Sequence, residues 1–100
     1  MRKIKLVAEP AYSYKCEFNI IDVTDGPEKR RGAITVDYGV PEIRDLQAEN
    51  MDFEGAIEYY RNRIYGLVKV LISDDWEALE GMQEAIDIVS KYIKEYFDGE

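Results

Sequence analysis

Four carboxylates near the end of the chain, Glu77, Glu80, Glu84 and Asp87, recur at steps of three, four and three. On a helix that spacing draws them into one acidic row, opposite an apolar face centred near Met82 and Ile93. An ordinary solvated helix face has this pattern; so does a docking strip for a basic partner. Aromatic residues add a second hint. Eight tyrosines in 100 residues is a high content. Tyr59 and Tyr65 fall outside the inward arc of the helix predicted around them, with Arg63 near Tyr59, and Trp76 falls in the first turn of the helix predicted to follow. Tyrosine, tryptophan and arginine are the side chains that most often anchor protein–protein contacts. These eight residues form the expected partner-binding set.

Catalytic chemistry finds little support. The chain has no histidine, which removes the commonest general base and the commonest transition-metal ligand. No phosphate-cradling glycine motif or nucleophile elbow is present. The single cysteine, Cys16, alternates with Phe18 and Ile20 and reads as a buried thiol, so no disulfide can close within the chain. Asp22-Val23-Thr24-Asp25-Gly26 superficially suggests a calcium loop, but position 33 is alanine where the bidentate glutamate would fall, and the segment reads as a turn. Asp74 and Asp75 are adjacent, head in different directions on a helix, and suit a helix start. The expectation is a non-enzymatic chain without cofactor or metal.

The elements that would position these side chains divide into two halves. Residues 2–9 and 12–23 alternate as strands, the second with Tyr12, Tyr14, Cys16, Phe18 and Ile20 on one face. A third strand is predicted over 32–39, after the Asp25-Gly26-Pro27 turn, with the basic run Lys29-Arg30-Arg31 at the hairpin tip. Residues 42–50 read as a connector holding a short fourth strand or one helical turn. Phe53, Ile57, Tyr60, Ile64, Leu67, Val68 and Leu71 then fall at helical spacing, predicting a helix over 52–72. Ser73-Asp74-Asp75 resembles a fresh helix start, predicting a second helix over 74–97. Strands first and helices afterwards predict a single α+β domain, with an antiparallel three-stranded meander, or four-stranded if 42–50 contributes, and an antiparallel αα-hairpin packed on one face.

Composition bounds the function. Apolar residues make up 46% and charged residues 34%, a folded rather than a disordered balance. The net charge is −8, and residues 32–100 hold sixteen carboxylates against six cations. That balance repels phosphate backbones, making direct nucleic-acid binding unfavourable, and suits a basic protein partner. No membrane-length apolar run is present, and the lone cysteine suits a reducing cytoplasm. The reading is a small acidic protein-interaction module, of the kind that serves as an inhibitor, immunity or antitoxin factor, or phage-encoded blocker. The alternatives are a homo-oligomeric structural or assembly protein, then a small-ligand carrier or carboxylate enzyme.

Overall fold

The computed structural model describes residues 1–73 and 75–98. In chain order the elements are β1 (Arg2–Ala8), β2 (Lys15–Asp22), β3 (Lys29–Asp37), α1 (Val40–Ala48), α2 (Phe53–Leu71), β4 (Trp76–Glu80) and α3 (Met82–Asp98). The fold is α+β, and the sheet is mixed. Its strand order is β3-β2-β1-β4, with antiparallel pairing except between β1 and β4, which run parallel.

The alternation in β2 comes from burial on one face only. Cys16, Phe18 and Ile20 point into the core, joined by Ile4 and Leu6 from β1 and by Ile34 and Val36 from β3. Helices α2 and α3 cover that face, placing Ala56, Tyr60, Ile64, Val68, Ala85, Ile86, Val89 and Ile93 against it. Three- and four-residue steps along each helix make these stripes continuous, so truncating a central member such as Ile64 or Val89 costs about 2–5 kcal/mol. The opposite face carries Lys3, Glu17 and Thr35, all exposed.

Three expectations are corrected. The segment 42–50 supplies no strand: it forms most of α1, a helix with Pro41 in its first turn and Ile43 and Leu46, three apart, buried. The basic run is not a hairpin tip, because β3 already begins at Lys29 and pairs Lys29 with Asp22 and Arg30 with Ile21. The helices do not form an αα-hairpin. Residues 76–80, read as helical, are a strand between α2 and α3, and the purely antiparallel meander gains a parallel neighbour. Trp-Glu-Ala-Leu-Glu has helix-favouring composition, but as a strand it seats Leu79 beside Ile4 in the sheet, and tertiary pairing overrides the local preference. The expected helix start at Asp74 lies outside the described residues.

Two local devices fix the frame. Gly81 turns the chain from β4 into α3 at φ +86°, and a Cβ there would lie 2.6 Å from the Leu6 carbonyl oxygen. At the other end, the Tyr38 hydroxyl donates to the Tyr12 carbonyl at 2.7 Å and the Tyr92 hydroxyl to the Ala11 carbonyl at 3.4 Å, their rings stacked 5.2 Å apart. This pair pins the β1–β2 connection over the core. Burial pushes the Tyr38 hydroxyl well above the usual tyrosine range, so it stays a donor.

The buried carboxylate of Asp22 closes the lower end of the sheet. It accepts from the Thr24 backbone amide at 2.9 Å and from Arg31 at 3.2 Å, with Arg2 at 3.4 Å. The irregularity between Ile20 and Ile21, where Arg31 has no partner in the register, lets Arg31 reach it. Hydrogen bonds from Thr24, then the Arg2 charge and the Arg31 hydrogen bond, hold the carboxyl below the usual aspartate range.

Two outcomes are expected. Gly81→Ala should lower stability by about 1–3 kcal/mol in chemical denaturation, the cost of strain at a left-handed position with no space for a methyl group. Because the Asp22 pKa is depressed in the folded state, its contribution is present above the unfolded value of 3.8 and is lost as pH falls below it. Asp22→Asn should therefore flatten the acid limb of the stability–pH curve while lowering stability at neutral pH; an unchanged acid limb would show that Asp22 is not the linked group.

Candidate functional site

The structure separates the acidic row. Glu77 and Glu80 lie on β4, and Glu84 and Asp87 on α3, so the four do not share one helix face. Glu77 pairs with Lys3 at 3.7 Å, an exposed contact of small energetic weight. Glu80 stands in register with Lys5 of β1, and Glu80 and Glu84 border a shallow notch with Lys5, Leu6 and Val7. Asp87 accepts from the Gln83 amide at 2.9 Å. The expectation of a single acidic helix strip is withdrawn, because its first half is a strand whose carboxylates face lysines of the neighbouring strand.

The aromatic residues fall into two groups on α2. Tyr65 meets Trp76 with ring centroids 5.0 Å apart, and the Lys69 ammonium lies 5.8 Å from the indole centroid. Trp76 opens β4 rather than a helix, and its indole N–H reaches the Ile72 carbonyl at 3.4 Å. The tryptophan is thus a half-buried bracket between the end of α2 and the start of β4. Tyr59 and Arg63 occupy a different flank of α2, both exposed, with the Tyr59 ring edge-on to buried Tyr60 at 5.2 Å. Of the eight expected residues, Tyr65 and Trp76 are brought into direct ring contact.

Sequence patterning did not single out a groove where the α1–α2 corner meets the last turns of α3. It is lined by Gln47, Asn50, Met51, Asp52, Phe53 and Phe97. The corner is tightly built. Asn50 adopts φ 60°, its amide donates to the Gln47 carbonyl at 2.9 Å, and the Met51 amide reaches the Leu46 carbonyl at 3.3 Å. Asp52 caps α2 by accepting from the Gly55 amide at 2.7 Å. The Gln47 amide donates to the Tyr96 carbonyl at 2.8 Å, tying α1 to the end of α3, and Phe53 lies 6.3 Å from Phe97. Met51, Phe53 and Phe97, packed against the core, supply the apolar part of a lining that is otherwise polar.

Its electrostatics are one-sided. From Asp37 to Glu54 the chain holds six carboxylates and one cation, Arg44. Asp52 lines the groove, and Glu49 and Glu54 adjoin lining residues. Apolar area beside unbalanced negative charge can seat an apolar side chain flanked by lysine or arginine. The signal was present in the composition, but it was spread across a stretch that read as a connector, and only the corner folds it around one concavity.

Among the described residues no group of three or more metal-ligating side chains is arranged to hold an ion, and no helix is long and apolar enough to cross a membrane. Cys16 is buried, and burial first, then Glu17 and Glu9, push its thiol above the usual range. Compared with protein-family models, with curated proteins and with solved structures, the chain matches none.

Because Trp76 is the chain's one tryptophan, its emission reports on the bracket. Tyr65→Ala should shift that emission to longer wavelength and cost about 0.5–1.5 kcal/mol, as expected for loss of one aromatic pair. An unchanged spectrum would mean that Tyr65 does not shield the indole.

Proposed function

We propose that this chain is a small non-enzymatic protein-interaction module that takes a basic segment of a partner protein at the α1–α2 corner. The observation that carries the reading is the coincidence of three apolar side chains, Met51, Phe53 and Phe97, with a stretch of six carboxylates and one cation between Asp37 and Glu54. A partner segment would place an apolar residue over the phenylalanines and its cations toward Glu49, Asp52 and Glu54. Attraction of this kind raises the encounter rate and fixes orientation, while the buried apolar contact supplies most of the lifetime.

The docking surface differs from the α3 strip expected from spacing, but the chemistry of the partner is the same. Glu84 and Asp87 remain exposed on α3 and contribute to the general negative field.

A synthetic lysine- and leucine-rich helical peptide is a suitable probe, followed by fluorescence anisotropy at low and raised salt. Reversing the corner with Glu49→Lys and Glu54→Lys should weaken binding by about tenfold or more, and reversing α3 with Glu84→Lys and Asp87→Lys by less than about threefold. Both double variants change net charge equally, so equal losses would mean that only the overall charge is read and that the corner is no site.

A further inference from the structure

Strand β3 is an edge strand, with β2 as its single neighbour. The Tyr38 amide donates to the Tyr14 carbonyl at 2.9 Å, toward β2. In a trans peptide the preceding carbonyl points the opposite way, so the Asp37 carbonyl faces the open edge, and there the Tyr60 hydroxyl donates to it at 3.0 Å. By the two-residue repeat of an antiparallel ladder, Ala33 and Thr35 also direct both backbone groups outward. No hydrogen bond to these outward groups is found among the described residues. The usual edge defences, an irregularity and a cluster of charge, are confined to residues 29–32; from Ala33 to Asp37 the strand runs in unbroken register.

Helix α2 runs beside this edge in the opposite sense. Tyr60 lies at Asp37, and a Cβ on Gly32 would lie 3.0 Å from Leu71. The middle of that helical stretch therefore lies alongside Ile34 and Thr35. Tyr59, Arg63, Gly66 and Val70 follow at steps of four, three and four, on the flank next to the residues that touch β3. All four are exposed, Val70 at 85%.

We propose that this face is the contact with a second copy of the chain, β3 pairing antiparallel with β3 of the partner about a two-fold axis near Ile34. Charge complementarity selects that occupant. The open edge is basic at one end, with Lys29 and Arg30, and acidic at the other, with Asp37. A two-fold axis reverses it on itself and sets the acidic end of each copy against the basic end of the other. Pairing Ala33 with Thr35 of the partner subunit forms about four inter-chain hydrogen bonds and sets Asp37 across from the Lys29–Arg31 end. The axis stands perpendicular to the sheet, so both α2 helices lie on the same side and meet along their exposed flanks. Tyr59 then faces the second Val70, and Arg63 faces the second Gly66, whose missing side chain leaves it room.

Gly66 gives the test. A Cβ there meets nothing within 4 Å, so Gly66→Lys does not disturb the fold of one chain and should raise helix stability by about 0.5–1 kcal/mol. Sedimentation analysis of the intact protein from low to high micromolar concentration should show conversion to twice the 11.6 kDa chain mass. Gly66→Lys should weaken that association about tenfold or more while circular dichroism stays unchanged. Hydrogen exchange at Ala33 and Thr35 should slow as the dimer forms. A monomer throughout overturns the proposal, as does a dimer indifferent to Gly66→Lys or one that leaves Ala33 and Thr35 exchanging as in the monomer. Because the peptide-binding corner is a separate surface, its charge reversals should leave the association unaltered, and its failure to bind peptide would leave this result standing.

Discussion

The parallel pairing of β4 with β1 is the constraint on which the rest of the molecule depends. Without it, β1 would be an edge strand with Ile4 and Leu6 uncovered on one side, and the chain from 76 onward could continue as helix. With it, Leu79 is seated beside Ile4, Gly81 turns the chain sharply against the Leu6 carbonyl, and α3 starts from a fixed point over the sheet. The same pairing sets the direction of the long connection. Strands β3 and β4 both run parallel to β1 and lie at opposite edges, so the intervening chain must cross the core face, and α1 and α2 are that crossing.

That crossing distributes the chemistry of the surface. It carries the acidic stretch around the α1–α2 corner, where the last turns of α3 complete a groove, and brings the basic half of α2 beside the basic start of β3. The acidic corner and the basic start of β3 thus lie apart on the surface, and the net charge of −8 describes neither. Arg2 and Arg31 are drawn to Asp22, so these cations at the sheet's lower end are occupied in holding the fold. The surfaces that remain for recognition are the corner groove and the β3–α2 flank.

Much of this was legible in the sequence, for identifiable reasons. The alternation of Cys16, Phe18 and Ile20 has one cause, burial on a single face, and it marked β2; the three- and four-residue steps of α2 marked a helix in the same way. Residues 76–80 were not legible, because Glu, Ala and Leu favour helix locally and only a distant partner, β1, makes them a strand. The helix α1 escaped because two buried residues, Ile43 and Leu46, are too few to establish a period. Among the candidate site residues, Tyr65 and Trp76 do meet, beside the end of α2, whereas the acidic row depended on an unbroken helix and dissolved with it. The corner groove had no sequence signature beyond charge density, since its apolar lining joins Met51 and Phe53 to Phe97 across more than forty residues.

The most direct test of this arrangement is the backbone conformation of residues 76–80 in solution by NMR. The structure requires extended-strand chemical shifts there, inter-strand NOEs between Ile4 and Leu79, and helical shifts beginning only after Gly81. Helical shifts running without a break from Asp75 through α3 would contradict it, and would return the four carboxylates to the single face that their spacing first suggested.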